Sequence, residues 1–140
     1  MHSFANLVIN RAAIEKLFGQ QLPEWSSARD NYEALRCGQE KSFNIFGGGA
    51  TVKVQLNPAR MVSSSAKIDV ETLNSRECFV CANGRPSEQY WIDYKGVTTD
   101  YCVQVNPYPI FSRHLVIAAT THSRQEIDSS RLEDMLALAR

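Results

Sequence analysis

Tyr90-Trp-Ile-Asp-Tyr-Lys-Gly96, with Tyr101-Cys-Val-Gln-Val105 and His114-Leu-Val-Ile-Ala118 after it, is the stretch that decides the fold. Tyr90, Ile92 and Tyr94 alternate with Trp91 and Asp93, the two-residue period of a strand with one buried face. Lys95-Gly96 ends that run in turn chemistry. The two later runs are short, apolar and rich in β-branched residues, so each reads as a further strand.

Upstream the period changes. Leu7, Ala13, Ile14, Leu17 and Phe18 recur at helical spacing, and Gly19 is expected to stop that helix. A second helix is expected from Pro23 to about Gln39, with Trp25, Ala28, Tyr32 and Leu35 on one stripe and Pro23 in its first turn. Gly47-Gly48-Gly49 then reads as a flexible connection. Beyond it Val52, Val54 and Leu56 alternate with polar residues, predicting a half-buried strand. Asn57-Pro58 is turn chemistry, and Met61 to Asp69 reads as a serine-rich returning strand. At the far end Asp128-Ser129-Ser130 opens a last helix, with Ser130 and Glu133 at capping-box spacing and Leu132, Met135 and Leu136 on one face. No stop signal precedes Arg140.

Helices gathered early and strands gathered later predict an α+β fold with a mainly antiparallel sheet. The expected organisation is one domain in two parts, a helical segment over 1–46 and a sheet region over 47–140. Regular βαβ alternation is missing, which argues against a doubly wound sheet.

Composition narrows the function classes. Acidic and basic residues balance at 15 each, so no overall field favours nucleic acid or an anionic membrane. Hydrophobic residues make up 44% and charged residues 21%, as expected of a soluble domain able to bury a core. No apolar run approaches a membrane span, and the N-terminus has no secretory pattern. The expected location is the cytoplasm, with free or metal-bound thiols.

Two stretches carry chemistry. Cys78-Phe-Val-Cys81 lets two thiolates reach one ion from a tight turn; zinc, a dithiol redox pair and two buried thiols are the competing readings. Asn83-Gly84-Arg85-Pro86 follows it, which is loop chemistry and not the helix a redox motif wants. His114 and His122 flank Leu115-Val116-Ile117-Ala118, and each is either a ligand or site residue or a hydrogen-bonded structural histidine. Asn106-Pro-Tyr108-Pro109 is a rigid turn able to set polar groups and Tyr108 against a base or sugar. Arg60, with nearby serines and Lys67, is a candidate phosphate contact or solvated surface. Gly47 to Gly49 is not a phosphate loop, since no Gly-Lys-Ser/Thr follows.

Taken together, Cys78-x-x-Cys81, Asn106-Pro, His114-Leu-Val-Ile and His122 resemble the first half of the histidine-triad and galactose-1-phosphate uridylyltransferase superfamily. Val54-Gln-Leu-Asn-Pro-Ala-Arg60 through Asp69, with Asn83, Pro86, Glu88 and Gln89 after the knuckle, is similar to bacterial relatives of GDP-galactose phosphorylase. The resemblance covers roughly residues 24–140. It implies a histidine-triad-like antiparallel sheet flanked by helices, and nucleotidyl transfer through a nucleotidyl-histidine. It assigns zinc to Cys78, Cys81 and His122, matches Asn106 to a turn that contacts the nucleoside and Arg60 to a phosphate contact, and matches His114 to the histidine that opens the strand. With Tyr108 of the Pro-rich turn, Arg60, Asn106 and His114 are the expected substrate contacts.

One departure limits it. The family's nucleophile and fourth metal ligand lie in a later His-x-His strand, whereas this chain has only His2, His114 and His122. No catalytic residue is therefore expected within the 140 residues. The expectation is the N-terminal part of a longer nucleotidyltransferase or nucleotide-sugar phosphorylase, binding a nucleotide or nucleotide sugar and able to form a homodimer. The competing expectation is a non-catalytic, zinc-structured binding module on the same scaffold. A dithiol redox protein is the third.

Overall fold

A computed structural model describes residues 3–4 and 8–139. His2, Leu7 and Arg140 lie outside them. The main sheet is built from β1 (Ser3–Phe4), β4 (Trp91–Lys95), β5 (Asp100–Val105) and β6 (Leu115–Ala119), in the order β1-β4-β5-β6. The β4–β5 and β5–β6 pairs are antiparallel, and the two-residue β1 runs parallel to β4. A second sheet is the antiparallel hairpin of β2 (Gln39–Ile45) and β3 (Ala50–Leu56). Among the described residues there are five α-helices: α1 (Arg11–Glu24), α2 (Ser26–Arg36), α3 (Met61–Ser64), α4 (Val70–Ser75) and α5 (Ser129–Leu138). The protein is α+β with a mainly antiparallel sheet, and the three strands read from residues 90–118 are present.

The core lies between α1 and one face of the main sheet. Ile92 pairs in register with Val103, and Val103 with Ile117, so these side chains share a face. Ala13, Leu17 and Phe18 of α1 cluster with Tyr90, Ile92 and Val105. Asn10 caps α1 by accepting from the Ala13 amide at 2.9 Å. The buried Gln21 ties the helix to the chain entering β4: its Oε1 accepts from the Tyr90 amide at 2.7 Å, and its Nε2 donates to the Glu88 carbonyl at 2.7 Å.

The helical boundaries differ from the expected ones. Gly19 does not end α1; it sits mid-helix on the solvent side, where a glycine costs roughly 1 kcal/mol relative to alanine and buried neighbours offset it. Pro23 lies in the last turn of α1, not the first turn of the next helix. The extended backbone of Trp25 separates the two helices.

Residues 39–45, expected to close a helical segment, form β2, and Gly47 to Gly49 is a turn and not a flexible connection. Gly47 and Gly48 have φ of 63° and 97°, which glycine adopts without a steric penalty, and they reverse the chain between β2 and β3. The register places Phe43, Ile45, Val52, Val54 and Leu56 on one face and Glu40, Ser42, Asn44, Thr51, Lys53 and Gln55 on the other. The expected alternation is there, but the apolar face of β3 is exposed rather than half-buried, with Val54 at 54%.

Met61 to Asp69 is not a strand. Pro58 starts a 3-10 turn over 58–60 that leads into α3, and the hydroxyls of Ser64 and Ser65 bond back to the carbonyls of Arg60 and Met61. Asp69 then caps α4 through the Thr72 amide at 2.8 Å. At α5 the cap is Asp128, which accepts from the Arg131 amide at 2.8 Å; Ser130 donates to Asp128 and does not serve as the cap. Leu132, Met135 and Leu136 are exposed, and the buried residue of α5 is Asp134. Its carboxylate accepts from the Val97 amide, the Thr98 hydroxyl and the Tyr101 phenol, fastening α5 to the β4–β5 turn. Among the described residues, no helix is long and apolar enough to cross a membrane.

Candidate metal centre and the loop at the other end of β6

The knuckle is a closed turn in which the Cys81 amide donates to the Cys78 carbonyl at 3.0 Å. Arg85 fastens it to the sheet. Its guanidinium stands 4.2 Å from the centroid of Trp91, and its Nη2 donates to the Val80 carbonyl and the Cys102 sulfur, each at 3.2 Å. His122 arrives from the opposite direction. It follows β6 by three residues, and the chain leaving that strand is held by the Thr120 amide on the Asp100 carbonyl at 2.9 Å.

These constraints bring the ligand atoms of Cys78, Cys81 and His122 within 4.8 Å of one another, with Cys81 Sγ 3.1 Å from His122 Nδ1. Metal–ligand bonds of about 2.0–2.3 Å in a tetrahedron imply ligand–ligand separations of roughly 3.5 Å, so the cluster could hold a metal ion. A groove of about 440 Å³ lies against it, with Ile117, Ala119, Thr121, Arg131 and Met135 among its walls.

The thiols are not equivalent. Burial pushes the Cys78 thiol up, but the Val80 amide, the Cys81 thiol and amide and the Arg76 charge outweigh it, and its pKa falls below the ordinary value. The Cys81 thiol is raised, chiefly by its bond to Cys78 and then by burial. Cys102 is buried in the sheet, and that burial raises its thiol. Cys37 is exposed beside Glu33.

Arg60, Asn106, Tyr108 and His114 meet in a separate network. Arg60 Nη1 donates to the Tyr108 carbonyl at 2.9 Å, and the Tyr108 amide donates to Asn106 Oδ1 at 2.9 Å. Asn106 Nδ2 lies 3.3 Å from His114 Nε2, and the Ile110 amide donates to His114 Nδ1 at 3.2 Å. Tyr32 donates its phenol to the His114 carbonyl at 3.0 Å, and burial pushes its pKa up to about 12. Burial, and then the charge of Arg60, hold His114 below the usual imidazole value.

His114 immediately precedes β6 and His122 follows it, so the two clusters occupy opposite ends of that strand. Five strand residues, roughly 16 Å, separate them. The block from Cys78 to His122 therefore contributes to two separate clusters.

Sequence reasoning left several supporting residues unassigned. Asn31 and Asn57 donate to the carbonyls of Pro107 and Pro109, bracing the Pro-rich turn. Gln104 is 3% exposed, and its Oε1 has no partner among the described residues; the same holds for Asn57 Oδ1 and Arg85 Nε. Arg85, four residues beyond the knuckle, and Asn57, before Pro58, had sequence contexts that could have marked them.

Among curated proteins and solved structures, none matches the chain. One family model does, over residues 17–140, and its description is a domain of unknown function, DUF4922. With nearly its whole length matched, the chain belongs to the DUF4922 family.

Proposed function

We propose that this chain is the metal-supporting and substrate-facing part of a nucleotidyltransferase or nucleotide-sugar phosphorylase of the histidine-triad and galactose-1-phosphate uridylyltransferase type. In this reading zinc is the ion, held by Cys78, Cys81 and His122. One observation supports it above the others: residues up to 44 apart in sequence converge at ligand spacing at one end of β6, while the four residues assigned to substrate share one network at the other end. That separation gives the metal a structural role. It fastens the knuckle to the end of the strand and takes no part in bond making. Arg60, Asn106 and His114 would position the phosphates and sugar, with Tyr108 beside them. A nucleotidyl-histidine route needs an imidazole nucleophile, and the His-x-His pair that supplies it in the resembled family is not among the 140 residues.

The test is a pair of measurements. Metal analysis of the purified chain is expected to return close to one zinc per chain. The full-length reading frame, incubated with labelled nucleoside diphosphate sugars, is expected to form an acid-labile nucleotidyl adduct. Failure to label with any of them would remove the transferase reading. It would leave the second, a non-catalytic zinc-structured binding module on the same scaffold. A native reading frame that stops at Arg140 would support the same conclusion.

A further inference from the structure

The hydrogen bonds around His114 do not close. The Ile110 amide directs its hydrogen at Nδ1, which makes Nδ1 the acceptor and leaves the single proton of a neutral imidazole on Nε2. Facing Nε2 at 3.3 Å is Asn106 Nδ2, also a donor. Turning the Asn106 amide over does not relieve this, because Oδ1 is committed to the Tyr108 amide, and the turn would set an NH2 group against that N–H. Turning the ring over would present carbon to both partners. The two donors stand together without an acceptor between them.

We propose that His114 Nε2–H and Asn106 Nδ2–H form a two-donor cradle for one anionic oxygen of a phosphoryl group, with Arg60 supplying positive charge beside it. An oxygen placed against both donors removes the conflict and takes two charge-assisted hydrogen bonds. Arg60 is suited to this. One of its nitrogens is committed to the Tyr108 carbonyl, which anchors the side chain, and its charge is already felt at the imidazole. The Pro-rich turn is braced from three sides by Asn31, Asn57 and Arg60, so both donors are preorganised. The inference rests on the proposed function only for the source of the phosphoryl group. The cradle itself follows from the hydrogen-bond count.

The test uses the chain labelled with 15N-histidine, in which long-range 1H–15N correlations read the tautomer of His114 directly. Without ligand, the Nε2–H tautomer and a pKa below 6.5 are expected. Inorganic phosphate should move the Nε2 resonance and raise that pKa, because an anion favours the imidazolium. Asn106→Asp keeps the acceptor for the Tyr108 amide but sets a carboxylate where the donor stood, and should weaken phosphate by at least about tenfold. Arg60→Gln should weaken it while leaving the tautomer unchanged, and the amide fingerprint of each variant checks that it is folded.

An Nδ1–H tautomer in the free protein would overturn the proposal, since Nε2 would then accept from Asn106 and no donor pair would exist. Saturating phosphate that leaves His114 unmoved would overturn it equally. A nucleoside monophosphate that binds without moving His114 would sink the cradle and leave the nucleotidyl reading standing. Phosphate that moves His114 while no nucleotide binds would do the reverse.

Discussion

A Cβ placed on Gly84 would lie 2.5 Å from the carbonyl oxygen of Cys78. The atom it meets is backbone, so no flexible side-chain end can swing away. The loop after the knuckle folds back onto Cys78 at a distance that glycine alone permits. Gly84→Ala is therefore expected to shift Cys78 and weaken metal binding without touching a ligand. Overpacking of this kind costs about 1–3 kcal/mol, which is roughly five- to 150-fold if all of it falls on affinity. Competition against a chromophoric chelator measures it, and an unchanged affinity would show that the knuckle adjusts freely.

Metal bound only to the folded state adds stability by mass action, about 2.7 kcal/mol at a hundred times Kd. Zinc at that level is expected to raise Tm and a chelator to reverse the rise. Cys78→Ser, Cys81→Ser and His122→Ala should each abolish the response. Acidification should also reverse it, because the thiolates bind protons in competition with metal. Paired melting curves with and without chelator decide this.

Asp134 makes the attachment of α5 pH-dependent. Burial pushes its carboxyl up, but the Val97 amide and the hydroxyls of Thr98 and Tyr101 outweigh that, and its pKa lies below the ordinary 3.8. A depressed acid contributes stability that is complete above the unfolded value and is lost as pH falls through the folded one. The helix is expected to loosen only in strong acid, with Asp134→Asn loosening it at neutral pH. Hydrogen exchange along 129–138 reports both, and an Asp134→Asn helix as protected as the original would contradict the assignment.

The core and the hairpin predict opposite sensitivities. Ile92 is fully buried against α1, so Ile92→Ala is expected to cost about 2–5 kcal/mol. Val54 is more than half exposed on the hairpin, so Val54→Thr should fall within about 0.5 kcal/mol. Urea denaturation of the two variants checks the contrast. A large loss at Val54 would mean that its face is covered in solution, for instance by a second copy of the chain.

Sequence by itself determined the elements whose period and partners are local. Tyr90, Ile92 and Tyr94 alternate because one face of β4 is buried, and the runs at 101–105 and 114–118 are apolar enough to be strands on their own. It determined, too, that Cys78 and Cys81 can share an ion, since two residues between thiols are a property of the chain. The misplaced boundaries were decided by longer-range forces. Gly19 stays helical because Leu17, Phe18 and Gln21 are held by the sheet, and Met61 to Ser64 coils as a continuation of the 3-10 turn that Pro58 begins.

Spacing left open which histidine meets the knuckle; the family resemblance pointed to His122, and the tertiary structure is what brings it there. Both histidines flank one strand, and spacing alone cannot say which end of it the Cys78 turn packs against. The packing of Arg85 over Trp91 and onto Cys102 sets that, by fixing the knuckle to the sheet near one end of β6. The donor pair of Asn106 and His114 is likewise a product of three-dimensional closure, because a hydrogen bond between donors is a conflict that no linear pattern records.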